Sequence, residues 1–196
     1  PETVLDYYNA LIARKEETFI EQRTLADGSV QTVSGSGEAS IIAAQLLDAQ
    51  GQPLTAVEVA TQVVLEVRVR ANVALDRLVF GYLNKDRFGQ PINGINSHRL
   101  DQALENLVAG EEVVYRFSFA MNLGKGNYSM AFSLSRLDSH LDKNYEWCDR
   151  GLIFQVVNSQ RANFVGCTWL DTRLEIERLE AECPSVPAAG LRSLQQ

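Results

Sequence analysis

The sequence predicts an all-β fold, an immunoglobulin-like antiparallel β-sandwich with a short N-terminal helix. Three observations predict it: several runs alternate apolar and polar residues with a period of two, turn residues separate them at short intervals, and no long helical pattern intervenes. At 196 residues the chain can bury one sizeable core.

In chain order, residues 1–17 place Val4, Leu5, Tyr8, Leu11 and Ile12 on one helical stripe, with Pro1 suited to a first turn. A short amphipathic helix is expected there, its stripe needing a partner in this domain or in one that precedes it. Residues 18–37, with Ala26-Asp27-Gly28-Ser29 and Ser34-Gly35-Ser36-Gly37, have the small and turn residues of a flexible linker. The sandwich is expected over residues 38–177.

Within it, residues 40–48 are an apolar run closed by the turn signal Asp48-Ala49-Gln50-Gly51-Gln52-Pro53. Residues 62–70 set Val63, Leu65, Val67 and Val69 on one face, with Gln62, Glu66, Arg68 and Arg70 on the other. Leu78, Phe80 and Tyr82 are in phase over residues 77–84. The stretch from Lys85 to Ser97 follows, holding Asp86, Gly89, Pro91, Asn93 and Gly94, and reads as two tight reversals that expose polar groups at a corner.

Residues 100–107 are a helical turn or a loop. Val113, Tyr115, Phe117, Phe119 and Met121 alternate with polar or small residues, then Leu123-Gly124-Lys125-Gly126-Asn127 turns into Tyr128, Met130, Phe132 and Leu134, which predicts a hairpin. A polar loop at 138–149 leads to a strand at 152–157. From 164 to 178, Leu170, Thr172, Leu174 and Ile176 alternate like a strand, whereas the Glu and Arg content also suits a helix; a strand to about Glu177 is the reading. Residues 178–196, with Pro184, Pro187 and Gly190, read as a frayed tail.

The formal net charge of -7, with no Lys/Arg cluster, argues against a nucleic-acid or anionic-membrane partner. Three widely spaced cysteines without a Cys-x-x-Cys pair imply neither a disulfide framework nor a zinc site and fit a reducing compartment. No signal-peptide pattern opens the chain, and no apolar run approaches the ~18 residues of a membrane span. A soluble, cytoplasmic protein is expected. The chain does not begin with Met and is compatible with a piece of something longer.

Catalytic signatures are missing. Neither Gly124-Lys125-Gly126 nor Gly35-Ser36-Gly37 has the spacing of a phosphate-binding loop, and no Gly-x-Ser-x-Gly elbow occurs. His98 and His140 are far apart in sequence, and neither has a Cys or His near enough to suggest metal ligation. Asp138, Asp142, Asn144, Glu146 and Asp149 are oxygen-rich, but their spacing fits no calcium loop and a solvated loop is the reading. Glu66 and Asp86 are the one carboxylate pair worth testing for glycoside chemistry. No catalytic residue, cofactor or metal is expected.

The alternation also creates an outer face. It carries Glu66, Arg68 and Arg70 in one strand, Arg116, Ser118 and Ala120 in another, and Ser129, Ala131 and Ser133 in a third. If these share a sheet, the face is either an ordinary soluble surface or a floor on which guanidinium and carboxylate groups bond sugar hydroxyls. Trp147, in the polar segment Asn144-Tyr145-Glu146-Trp147, can stack on a sugar ring if exposed, or fill core, and is the better candidate than Trp169. The candidate carbohydrate-binding residues are Glu66, Arg68, Arg116, Ser118, Ser133, Asn96 and Trp147.

Several short motifs occur together: Tyr7-Tyr8 in the first segment, Gly37-Glu38, the Asp48 to Pro53 turn, Asp86-Arg87-Phe88-Gly89-Gln90-Pro91-Ile92-Asn93-Gly94-Ile95-Asn96, Gly126-Asn127-Tyr128 and Phe164-Val165-Gly166. In this order they resemble the C-terminal domain of Wzt-type proteins, the ATP-binding subunits of bacterial ABC exporters for O-antigen polysaccharide. The resemblance covers residues 38–177, with residues 1–17 similar to a last helix after the ATPase domain. It implies an immunoglobulin-like sandwich that binds the modified non-reducing end of a lipid-linked O-polysaccharide, without catalysis, so that only capped chains are exported. It also implies a homodimer with exchanged C-terminal strands, using residues 164–176, and a membrane-subunit partner at the cytoplasmic side of the inner membrane. ATP hydrolysis would belong to another part of the chain. The competing expectation is a docking or dimerisation module that reads no glycan.

Overall fold

In the computed structural model of the chain, which describes residues 19–24, 28, 30–137 and 144–178, the period-two alternation has become twelve strands and, among those residues, no helix. The helix expected over residues 1–17 lies outside the described residues, as does the tail beyond 178. The strands are β1 (Phe19–Thr24), β2 (Val30–Gly35), β3 (Ala39–Leu47), β4 (Pro53–Leu54), β5 (Ala56–Glu58), β6 (Gln62–Ala71), β7 (Leu75–Lys85), β8 (Pro91–Asn96), β9 (Leu104–Leu107), β10 (Glu112–Ala120), β11 (Gly126–Ser135) and β12 (Asn144–Val157).

They form two sheets. The large one runs β1-β2-β12-β11-β7-β8, with β5 parallel to β12 and β9 beside β7; the small one runs β10-β6-β3-β4. Every other pairing is antiparallel. The inward phase of β6, Val63, Leu65, Val67 and Val69, is fully buried together with Leu78, Phe80, Met130, Phe132 and Leu134 of the large sheet. Each such side chain contributes roughly 1.5–3 kcal/mol on leaving water. Aromatic rings lock the layers: Phe80 stacks on Tyr115 at 5.1 Å, and Tyr82 meets Phe117 edge-on at 5.3 Å.

The turn from Lys85 to Ser97 has a counterpart. Asp86 Oδ1 accepts the backbone N–H groups of Phe88 and Gln90, with Gly89 at φ 81°; Asp48 Oδ1 accepts those of Gln50 and Gln52, with Gly51 at φ 78°. Both loops read Asp-x-x-Gly-Gln-Pro, so one six-residue device closes β3–β4 and β7–β8, a repetition the sequence reading passed over. The aspartate side chain adds two hydrogen bonds to those of the backbone turn, the glycine takes the left-handed backbone, and the proline opens the next strand.

Five expectations change. Residues 100–107, expected as a helical turn or a loop, hold the strand β9 at Leu104–Leu107. Residues 18–37 are no linker: they hold the hairpin β1–β2, paired from Phe19↔Gly35 to Thr24↔Val30. Gly35 serves close packing there, since a Cβ would collide with the Tyr145 carbonyl oxygen. The hairpin expected from Val113 to Leu134 is not one. Its two strands, β10 and β11, lie in different sheets, because the aromatic face of β10 packs across the core on Phe80 and Tyr82 rather than beside β11. The second half of the polar loop at 138–149 is strand, since β12 begins at Asn144 and its acids are satisfied by partners: Asp149 by Lys85 at 2.7 Å and Glu146 by the Ile41 N–H at 3.1 Å. Finally, residues 164–178 form no strand, only the single bridge Leu123↔Thr168.

Candidate functional site

The outward phases of four neighbouring strands fall into one row across the large sheet. Trp147 of β12 pairs with Ser133 of β11, Ser133 with Gly81 of β7, and Gly81 with Asn96 of β8. The middle of the row is a hydroxymethyl group and a hydrogen, so the face sinks between an indole and an amide. A depression of about 200 Å³ results, lined by Gly81, Leu83, Asn96, Arg99, Ser133 and Trp147.

Gly81 is what keeps it open. A Cβ at that position would lie 2.8 Å from Ser133 Oγ and 3.1 Å from Asn96 Cβ. Gly94, one row along, lets β8 lie against β7, since a Cβ there would sit 2.5 Å from the Tyr82 carbonyl oxygen. Beyond β8 the chain is pinned: Ser97 Oγ accepts the Phe80 N–H at 3.1 Å, the Ser97 N–H donates to the Phe80 carbonyl at 2.8 Å, and Asn96 Oδ1 accepts the Arg99 N–H at 2.9 Å. That turn sets exposed Arg99 on the rim. Half-buried Trp147 forms the opposite wall.

The other sequence-chosen residues stand on the far side of the molecule. Glu66 and Arg68 are on β6 and Arg116 and Ser118 on β10, both in the small sheet, so the three strands expected to share one face do not. There Gln45, Glu66 and Arg116 are paired across β3, β6 and β10. Arg116 Nε donates to Glu66 Oε2 at 2.7 Å and Gln45 Nε2 to Oε1 at 3.0 Å. The Gln45 amide first, then the Arg116 guanidinium, hold the Glu66 carboxyl below the usual carboxylate range. Arg70 and Glu112 pair on the same face.

Glu66 and Asp86 form no catalytic pair: one belongs to this network, the other caps a turn of the opposite sheet. Among the described residues no cluster of His, Cys, Asp or Glu is arranged to hold a metal ion. Trp169 packs edge-on against Phe164 at 5.2 Å, away from the depression.

Sequence reasoning named Asn96, Ser133 and Trp147 but missed Gly81 and Arg99. Gly81 had a signal, a glycine on the outward phase of an otherwise bulky strand. Arg99 had none, since a turn sets its place.

A second concavity, about 680 Å³, opens between the sheets where β10 faces β8 and β9. Tyr82, Ile95, Leu104, Tyr115, Phe117 and Phe119 line it. The Tyr115 hydroxyl is sealed from solvent without a hydrogen-bond partner, and burial pushes its pKa up.

Comparison with known proteins gives one family. The description of the Wzt C-terminal domain matches residues 30–170. A crystal structure of the C-terminal domain of wzt superposes with a TM-score of 0.67 at 23% identity, over 75% of this chain and 89% of that one. A Niemann-Pick type C2 protein from the Japanese carpenter ant aligns at a TM-score of 0.44 and 9% identity, over 64% of this chain and 96% of that one. No curated protein sequence matches the chain.

Proposed function

Because the chain belongs to the Wzt C-terminal domain family, we propose that it is the glycan-reading module of an O-antigen ABC exporter and that the depression on the large sheet is where it reads. The observation that carries this is the single row Trp147, Ser133, Gly81 and Asn96, with Arg99 at its rim. An indole offers an apolar face to the C–H side of a sugar ring, while an amide, a hydroxyl and a guanidinium supply directional bonds to its hydroxyls or to a charged substituent. The small floor admits one ring-sized group, which suits the end of a chain.

The role is non-catalytic. The module binds the modified non-reducing terminus of the polysaccharide and couples completion of the chain to export, working at the cytoplasmic side of the inner membrane with the transporter's membrane subunit. It works as a homodimer with exchanged C-terminal segments. Among the described residues no helix is long and apolar enough to cross a membrane.

Titration of the purified chain with capped and uncapped O-polysaccharide tests this: binding is expected only with the capped form and only with Trp147 present. Equal affinity for both polymers would sink it. A second reading, a docking module that reads no glycan, draws on the exposed Leu170, Leu174 and Ile176. A chain that dimerises yet passes unretarded through a column of capped polysaccharide would favour that reading.

A further inference from the structure

Lys85 of β7 reaches across β11 to Asp149 of β12, bonding it at 2.7 Å with both side chains buried. Lys85 shares its outward phase with Gly81 and Leu83 of the depression, yet neither partner lines that depression. Stability alone does not account for such a pair. Desolvation of two charges offsets their attraction, and an apolar pair of similar size is often as stable. What a buried pair supplies besides is register, because each charge accepts its partner in one place only.

Asp149 stands at a break in the β11–β12 ladder. On one side the pairs run from Gly126↔Val156 to Met130↔Leu152, on the other from Phe132↔Cys148 to Leu134↔Glu146. Asp149, Arg150 and Gly151 therefore bulge opposite the single residue Ala131. The bulge is costly to form: Arg150 takes φ 52° without being a glycine, and a Cβ at Gly151 would run into the Phe132 ring. Two side chains hold it. Lys85 bonds the Asp149 carboxylate, and Gln31 Nε2 of β2 donates to the Arg150 carbonyl at 3.0 Å. Were β12 straight from Leu152 onward, Arg150 would face the core opposite Phe132, and Asp149 would oppose Ser133 in place of Trp147. The bulge thus puts an indole where a carboxylate would stand.

We propose that Lys85 and Asp149 are positioning residues for recognition: their ion pair clamps the bulge that sets Trp147 opposite Ser133, and so governs glycan affinity without touching the glycan. The proposal rests on the glycan-reading assignment of the depression. Cys148 alone separates Trp147 from Asp149, so a turn of the bulge passes directly to the indole. An apolar pair in the same place would keep the burial and lose the direction.

The test uses the full 196-residue chain with Trp169→Phe, which leaves Trp147 as its single indole. In that background Lys85→Met with Asp149→Leu removes both charges together, so no lone charge is buried and the unfolding midpoint is nearly kept. Titration with capped polysaccharide is expected to show affinity lower by roughly tenfold, with Trp147 emission shifted to the red and its quenching by acrylamide raised about twofold. The reversed pair, Lys85→Asp with Asp149→Lys, is expected to restore both at least in part; no restoration counts against a clamp made of charge. Unchanged affinity and emission in the charge-free chain overturn the proposal. So does lost affinity with unchanged emission, since the pair would then act by a route other than the indole. Should the charge-free chain not fold, Gln31→Leu, which frees the Arg150 carbonyl alone, is expected to raise the quenching and lower the affinity in the same direction; a chain in which neither moves overturns the proposal. A chain with its pair intact that binds no capped polysaccharide sinks the glycan reading, while the emission and quenching comparison still decides whether the pair positions Trp147.

Discussion

On the outer face of the small sheet, Gln45, Glu66 and Arg116 are three long polar side chains bonded to one another. On the outer face of the large sheet, the row Trp147, Ser133, Gly81 and Asn96 shrinks to a hydrogen at its third position. Both rows come from the same alternation, and the candidates chosen from sequence are divided between them. The difference teaches that polar content does not make a site. Long side chains that lie across the sheet and bond to one another fill the surface, whereas small residues flanked by an indole and an amide leave a recess.

The largest effect expected of any substitution here lies in a buried ion pair between β7 and β12 of the large sheet. Lys85 and Asp149, 9% and 2% exposed, pair at 2.7 Å, so Lys85→Met leaves a buried carboxylate alone. A loss of about 3–5 kcal/mol is expected in urea unfolding. A loss below about 1 kcal/mol would mean that this face is not held by the pair.

Next comes the contrast itself. Trp147→Ala is expected to weaken binding of capped polysaccharide by roughly 10- to 100-fold, about 1.4–2.8 kcal/mol, with the unfolding midpoint nearly kept. Arg116→Ala, on the other face, should stay within about twofold of the wild type in the same titration. Reversal of those two results would move the site to the small sheet.

A finer probe is Gly81→Ala, which adds a methyl group to the floor 2.8 Å from Ser133 Oγ. Binding should fall about tenfold, or ~1.4 kcal/mol, with a smaller loss of stability. Calorimetric titration beside thermal unfolding separates the two effects.

The smallest expected effect is in acid. Glu66 titrates below its ordinary value of 4.5 through Gln45 and Arg116. A lowered carboxylate contributes stability that is complete above that value and lost as pH falls through the folded one. Glu66→Gln should therefore lower stability slightly at neutral pH, the group being exposed, and flatten the curve below pH 4.5, where wild type and variant converge. Trp147→Ala should keep the wild-type slope.

Much of the fold was legible in the chain. Val63 to Val69 and Leu78 to Tyr82 announced strands and their buried sides, because a strand's side chains alternate whatever it pairs with. The Asp-x-x-Gly-Gln-Pro turns were equally local. The N-terminal part of β12 was hidden because Glu146 and Asp149 are buried acids whose partners, the Ile41 N–H and Lys85, lie 105 and 64 residues away. The hairpin β1–β2 was hidden because glycine needed for close approach looks the same as glycine in a flexible link.

The sequence by itself determined the alternating strands of residues 62–70, 77–84, 113–121 and 128–134, their core positions and the two Asp-x-x-Gly-Gln-Pro turns, since each follows from side-chain period and local backbone preference. Only the tertiary structure decided which sheet each strand joined, and hence that Ser133 and Asn96 meet Trp147 while Glu66 and Arg116 face away. Strand pairing is made by backbone groups that every residue carries, so neighbours are chosen by how the two layers bury their apolar faces together, and that choice is written in no single stretch of the chain.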